Sequence, residues 1–166
     1  MRSNTRRLSL LALCVATAMI LSFIESRLPT FVPIPGVKLG LANVAVIFTV
    51  YKLGYASGAA VSLVRVFLSA LLFGSPVSFI YSLAGAVLSF TVMLILKEAL
   101  KMHTVGVSIA GGVAHNVGQI AAASVIMGTN AVVYYLPYLI ISGTLAGIAV
   151  GLAANMLILR VKVSTK

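Results

Sequence analysis

The residues of this chain with the most chemical capacity stand inside its most apolar segments. Arg65 lies near the middle of GAAVSLVRVFLSALLFG, and His115, Asn116 and Gln119 lie within AGGVAHNVGQIAAASV. A guanidinium is a permanent cation whose planar fork of donors suits carboxylates and phosphates. An imidazole and two amides add donors and acceptors. At ~100° per residue, Gln119 lies about 40° and Asn116 about 100° around a helix from His115, so the three share one arc while Val113, Val117 and Ile120 face the other way. Gly111, Gly112 and Gly118 flank that arc, leaving room for a neighbouring helix or a ligand to come close. The chemistry this permits is recognition of a small polar or anionic solute. The competing reading is structural: interhelical hydrogen bonds of this kind contribute ~0.6 kcal/mol each on average. A lone arginine at the centre of a membrane segment costs at least ~2.5 kcal/mol, so Arg65 should face the interior with Gly58, Ser62 and Ser69. There it either orients a solute or pairs with Glu25 or helix carbonyls.

Further polar or amphipathic groups favour one half of the chain's apolar segments: Asn43, Ser78, Tyr81, Ser82, Tyr134, Tyr135 and Tyr138. Tyrosines near helix ends commonly form an interfacial belt. The asymmetry nonetheless points to an outward-opening pocket, with Asn43 as a further solute contact. The missing residues narrow the chemistry. There is no aspartate, and the two glutamates, Glu25 and Glu98, are far apart in sequence. A multi-carboxylate metal site and a Ser/His/Asp triad are therefore excluded. No GxxxxGK[ST] loop occurs, so the chain does not hydrolyse ATP by itself. The expectation is a non-enzyme with no cofactor and no metal. The single cysteine, Cys14, supports neither an intrachain disulfide nor a cysteine metal site.

Composition dictates the elements that must position these groups. With 61% hydrophobic residues, 14 charged residues among 166 and a mean hydropathy of +1.15, this is an all-α integral membrane bundle in one domain. Six apolar segments are expected at approximately 8–24, 39–51, 55–73, 76–96, 104–127 and 133–159. The second is short, covering about 20 Å at ~1.5 Å per residue. Charge decides that it spans. With six spans and the N-terminus inside, Arg2, Arg6, Arg7, Lys52, Lys97, Lys101, Arg160, Lys162 and Lys166 are cytoplasmic, and only Arg27 and Lys38 lie outside. With five spans the later loops flip and most basic residues move outside. Both termini are accordingly placed in the cytoplasm, and the chain in the bacterial inner membrane. The net charge of +10 then reflects topology and contact with anionic lipid, without a nucleic-acid partner. The N-terminal apolar run has no convincing cleavage site and reads as an uncleaved helix. The loop ESRLPTFVPIPGVK, Glu25 to Lys38, cannot be helical through Pro29, Pro33 and Pro35, and reads as either a lid over the outer mouth or a plain connection.

Small residues mark close packing. Gly143, Gly147 and Gly151 recur at four-residue spacing, which suits helix contact within the bundle, while Ala12 and Ala16 form an AxxxA pattern open to a partner protein. LGLAN (Leu39 to Asn43), RVFLSALLFGSP (Arg65 to Pro76), SLAGAVLSF (Ser82 to Phe90), GGVAHNVGQ (Gly111 to Gln119) and YLPYL (Tyr135 to Leu139) resemble the bacterial Gx transporter family. That family often carries the label heptaprenyl diphosphate synthase component I. The resemblance covers nearly the whole chain, and GGVAHNVGQ is its most specific element. The family is in turn similar to the substrate-binding S components of energy-coupling factor transporters. This implies a six-helix protein that captures a vitamin-like solute outside, energised by a separate transmembrane coupling subunit and two ATPases. It also implies that Ala12 and Ala16 contact the coupling subunit. The resemblance assigns no substrate contacts, so Arg65, His115, Asn116, Gln119 and Asn43 rest on the physical reading. The synthase label meets a direct obstacle. Prenyl diphosphate synthases hold Mg²⁺-diphosphate through aspartate-rich motifs, and a chain without aspartate is at most a noncatalytic subunit.

Overall fold

Breaker residues divide the apolar chain into helices. The computed structural model describes residues 2–27 and 40–161, with side chains from Thr5 onward. It contains α1 (Arg2–Arg27), α2 (Asn43–Leu53), α3 (Tyr55–Phe73), α4 (Pro76–Glu98), α5 (Thr104–Met127) and α6 (Leu136–Arg160), with a 3₁₀ turn at Asn130–Tyr135. Gly54, at φ 91°, is the whole link between α2 and α3, a left-handed conformation that glycine takes without strain. Ser75 caps α4 by accepting from the Ser78 amide at 3.1 Å, with Pro76 in the first turn, where its missing N–H costs nothing. Gly128, at φ 63°, closes α5.

Five of these helices are long and apolar enough to cross a membrane, and α2 is the shorter apolar one. Large apolar side chains such as Leu63, Phe67, Val87, Ile141 and Leu145 are exposed, whereas Arg65, His115, Asn116 and Gln119 are buried. That inversion belongs to a multi-pass membrane protein, whose exterior faces hydrocarbon.

The boundaries of α3 and α5 fall where the sequence puts them. α1 is longer than the expected 8–24, because the helix continues through polar residues at both ends of the apolar run. α2 begins at Asn43 instead of Leu39, and α6 at Leu136 instead of Val133, behind the 3₁₀ turn. The proline-rich loop lies, from residue 28 to 39, outside the described residues, and the lid expectation lies there with it.

Five helices close a ring: α2 packs on α3, α3 on α4, α4 on α5, α5 on α6, and α6 returns to α2. α1 lies outside the ring against α2 and α3. Both ends of α2 are held. At one, the Glu25 carboxylate of α1 accepts a hydrogen bond from the Gly40 amide. At the other, Arg7 of α1 donates to Ser57 Oγ at 3.0 Å and reaches the Leu53 carbonyl at 3.4 Å. The ~20 Å from Gly40 to Leu53 thus runs between the two ends of α1, with long side chains covering the remainder. Lys97 joins the Arg7 end: it donates to the Tyr55 hydroxyl and lies 4.8 and 4.2 Å from the ring centroids of Tyr51 and Tyr55.

Packing is uneven around the ring. Below the polar residues, Val46, Ile47, Val50, Val61, Met93, Val107, Val150 and Ala154 form an apolar core toward the Lys97 end. Tyr81, Ile120, Ala123, Val132 and Leu139 form a second cluster under the 3₁₀ turn. α5 meets both neighbours backbone to backbone. A Cβ on Gly118 would stand 2.8 Å from the Ala84 carbonyl oxygen of α4, and one on Gly147 of α6 would stand 2.6 Å from Ile109 Cα. α3 and α4, by contrast, leave a lipid-facing groove of about 160 Å³ lined by Ala59, Ser62, Leu63, Ala86, Val87, Phe90 and Thr91.

Candidate functional site

Arg65 reaches the interior because its helix face is polar and small. Gly58, Ser62 and Ser69, spaced at seven, three and four residues from it, are buried with it, while Leu63, Val64 and Phe67 turn to lipid. Its Nε and Nη2 are buried and have no hydrogen-bond partner among the described residues. Glu25 of α1 acts on it electrostatically. Of the two structural alternatives for Arg65, the one with Glu25 is thus represented by electrostatic attraction. It leaves donor groups of the guanidinium uncommitted among the described residues.

The α5 residues divide between two neighbours. His115 and Gln119 lie over Gly85 of α4: a Cβ there would meet His115 Cε1 at 3.0 Å and Gln119 Cγ at 2.9 Å. Asn116, rotated by about 100°, faces α6 instead. Its Nδ2 donates to the Leu139 carbonyl at 2.7 Å, and its Oδ1 is buried without a hydrogen-bond partner among the described residues. Half of Asn116 is therefore a helix fastener and half is open to a donor. Asn116→Ala should lower stability by about 0.6–1 kcal/mol, read as the midpoint of unfolding in mixed micelles; no change would mean that the Leu139 bond contributes nothing net.

Depth aligns these groups. α3 and α4 are antiparallel neighbours joined at Gly74 and Ser75. At ~1.5 Å per residue, Arg65 and Gly85 stand at nearly the same level. Arg65 therefore lies at about the depth at which His115 and Gln119 meet Gly85. Asn43 enters from α2. It lines, with Gly40, Ile47, Met93, Ser108, Gly111, Gly112 and Gly147, a small central cavity of about 10 Å³, room for roughly one water. His115 and Gln119 therefore meet at Gly85, Asn43 lies at the central cavity with Gly111 and Gly112, and Asn116 is turned to α6.

Ala12 and Ala16 occupy a different surface. Both are exposed on the outer face of α1, in line with exposed Leu8, Ile20 and Ile24, while Cys14, Ala18, Ser22 and Glu25 are buried on the opposite face.

Two features were not visible in the spacing. Glu25 acts on Arg65 across 39 intervening residues, and only its rarity in the chain marked it. Gly85, which makes room for His115 and Gln119, reads in sequence as one more small residue in SLAGAVLSF.

What the arrangement can do is bind: it offers a cation, an imidazole, three amides and hydroxyls. No group of three or more His, Cys, Asp or Glu that could hold a metal occurs among the described residues. No curated protein and no solved structure matches the chain. The family of heptaprenyl diphosphate synthase component I matches residues 14–157, a span that includes α2 to α5, all of α6 but its last three residues, Arg65 and the α5 polar face. A component label fits a noncatalytic role beside other components of such a synthase. With a match of that extent, this chain belongs to the heptaprenyl diphosphate synthase component I family.

Proposed function

We propose that the protein is the solute-binding membrane component of an uptake system, of the S-component kind. Arg65, His115, Gln119, Asn43 and the free face of Asn116 contact a small polar, vitamin-like molecule in a pocket that opens outward. The observation that carries this reading is Arg65: a buried arginine whose Nε and Nη2 lack partners among the described residues, inside a ring of helices at membrane depth. Purely structural arginines are held by carbonyls or carboxylates, because an unmatched donor in hydrocarbon costs free energy. In this reading all six helices span, the Lys97 end with its basic residues lies in the cytoplasm of a bacterium, and the outer loop closes over the solute. A coupling subunit docks on the Ala12 and Ala16 face of α1 and passes on the work of partner ATPases.

Native mass spectrometry of the purified protein tests the binding claim: a retained small molecule that disappears in Arg65→Ala and stays in an exposed-face control, Leu71→Ala, is the expected result. Ala16→Leu tests the partner face. Exposure of Ala16 limits its effect on stability to about 0.5 kcal/mol, while copurification of a membrane partner with ATPases should be lost. Equal recovery of partners with both forms would count against docking there.

The family name favours a second reading, a noncatalytic membrane subunit of a prenyl diphosphate synthase. Copurification of a soluble prenyl synthase in place of ATPases would select it.

A further inference from the structure

The groove between α3 and α4 ends on charge. Along α3, Tyr55, Ala59 and Ser62 follow at four and three residues and share one face; along α4, Ala86, Phe90 and Lys97 follow at four and seven and share another. Ala59, Ser62, Ala86 and Phe90 line the groove. Further along the same two faces, Lys97 donates to the Tyr55 hydroxyl and so bridges the helices at the groove's end. An interfacial lysine ordinarily extends its ammonium to water. This one is held back: its side chain is 21% exposed, and its ammonium sits over the rings of Tyr51 and Tyr55. Arg7, Lys52 and Lys101 stand at the same end of the bundle, against one acid, Glu98, among the described residues.

We propose that an anionic phospholipid binds this seam, with one acyl chain in the groove and its phosphate on Lys97 and Tyr55. The Tyr55 hydroxyl accepts from Lys97 and keeps its own proton for a phosphate oxygen. Depth fits the molecule. Phe90 lies about 10 Å along α4 from Lys97, and the headgroup layer is about 5–7 Å deep on each side of the hydrocarbon. A phosphate at Lys97 therefore delivers the upper acyl chain beside Phe90 and Ala59. A partner helix does not fit in its place: with side chains it is about 10–12 Å across, whereas the groove holds about 160 Å³.

The head decides which lipid binds. A chain that leaves the bilayer for the groove exchanges one hydrocarbon surrounding for another, so its contacts with Leu63, Ala86 and Val87 discriminate little between lipids with the same tails. Selection falls to the basic end, where each lysine or arginine near the surface raises affinity for an anionic head about fivefold. A zwitterionic head gains less, because it brings its own ammonium to the same cluster.

Native mass spectrometry of the full-length protein in detergent tests this with dioleoyl phosphatidylglycerol and dioleoyl phosphatidylcholine, which share tails and differ in head charge. The expected result is one retained phosphatidylglycerol, bound about fivefold or more tightly than phosphatidylcholine, with a higher unfolding midpoint in its presence. Lys97→Gln should cut that preference about fivefold. Ala59→Leu, which fills the groove from its half-buried α3 side, should weaken both lipids. Equal retention of the two lipids by the wild type, or a preference that Lys97→Gln leaves unchanged, overturns the proposal. So does stabilisation by millimolar inorganic phosphate equal to that by phosphatidylglycerol, which would mark an anion site with no use for the groove. A dimer that Ala59→Leu disperses would put a second copy on the seam and overturn it too. The comparison of heads needs no variant, so it decides even where Lys97→Gln does not fold.

Discussion

Replacing Gly118 with leucine will force α4 and α5 apart and cost about 3 kcal/mol, the upper end of what overpacking costs. The reason is the identity of the obstructing atoms. A Cβ at Gly118 stands 2.8 Å from the Ala84 oxygen and 2.9 Å from Gly85 Cα, both backbone, so no side chain can swing aside. The helices must separate, and their separation lifts Gly85 away from His115 and Gln119. Solute retention should therefore fall together with stability. Unfolding in mixed micelles reads the first and native mass spectrometry the second. Gly106→Leu is the matched control: the atom its Cβ meets, at 3.0 Å, is the flexible end of Met102, so a small effect is expected there. A Gly118→Leu protein as stable as the wild type would show that the close crossing is not a constraint.

The second large effect is a coupling between Arg65 and Glu25. Arg65→Met removes the only buried positive charge described and takes its attraction away from the buried Glu25, a change of the kind that costs about 3–5 kcal/mol. Adding Glu25→Gln removes that residual charge. The double variant should recover to within about 1 kcal/mol of the wild type, because exchanging a whole buried ion pair for neutral groups is often close to neutral. A double-mutant cycle on unfolding free energies measures the term directly. If the two single effects simply add, the residues are not coupled. Arg65→Lys should keep most of the stability, since the charge remains, while losing the planar donor fork and with it solute retention.

These two results rest on groups that the amino-acid sequence reveals to different degrees. The limits of α3 and α5 were legible because Gly54, Gly74, His103 and Gly128 interrupt the apolar runs on either side. The ends of α1 were not, because hydropathy registers the apolar run and is blind to a helix that continues through Arg6 and Arg7 or through Ser26 and Arg27. Periodicity gave the angle between His115 and Asn116. It could not say that this angle spans the seam between α4 and α6, which depends on where two other helices lie. For the same reason the small residues flanking His115 predicted close packing, yet the partner surfaces, Ala84 and Gly85 on one side and Gly143 on the other, emerge only from the folded arrangement. The Arg65–Glu25 relation is the extreme case. It links two helices through space, and nothing in local spacing encodes it.

The uneven seams of the ring also set how the molecule can deform. α4, α5 and α6 come within main-chain contact at Gly118, Gly112 and Gly147, so they behave as a stiff plate. α3 meets α4 across side chains and the 160 Å³ groove, where contacts are fewer and displacement is less costly. The seam of α6 with α2 is similarly thin, so compliance lies at the two seams that join α2 and α3 to the rest of the ring. In the solute-binding role proposed above, α3, and Arg65 with it, would be the wall that moves against the side carrying His115 and Gln119. The hinge would be the two-residue junction at Gly74 and Ser75, which joins the moving part to the fixed one.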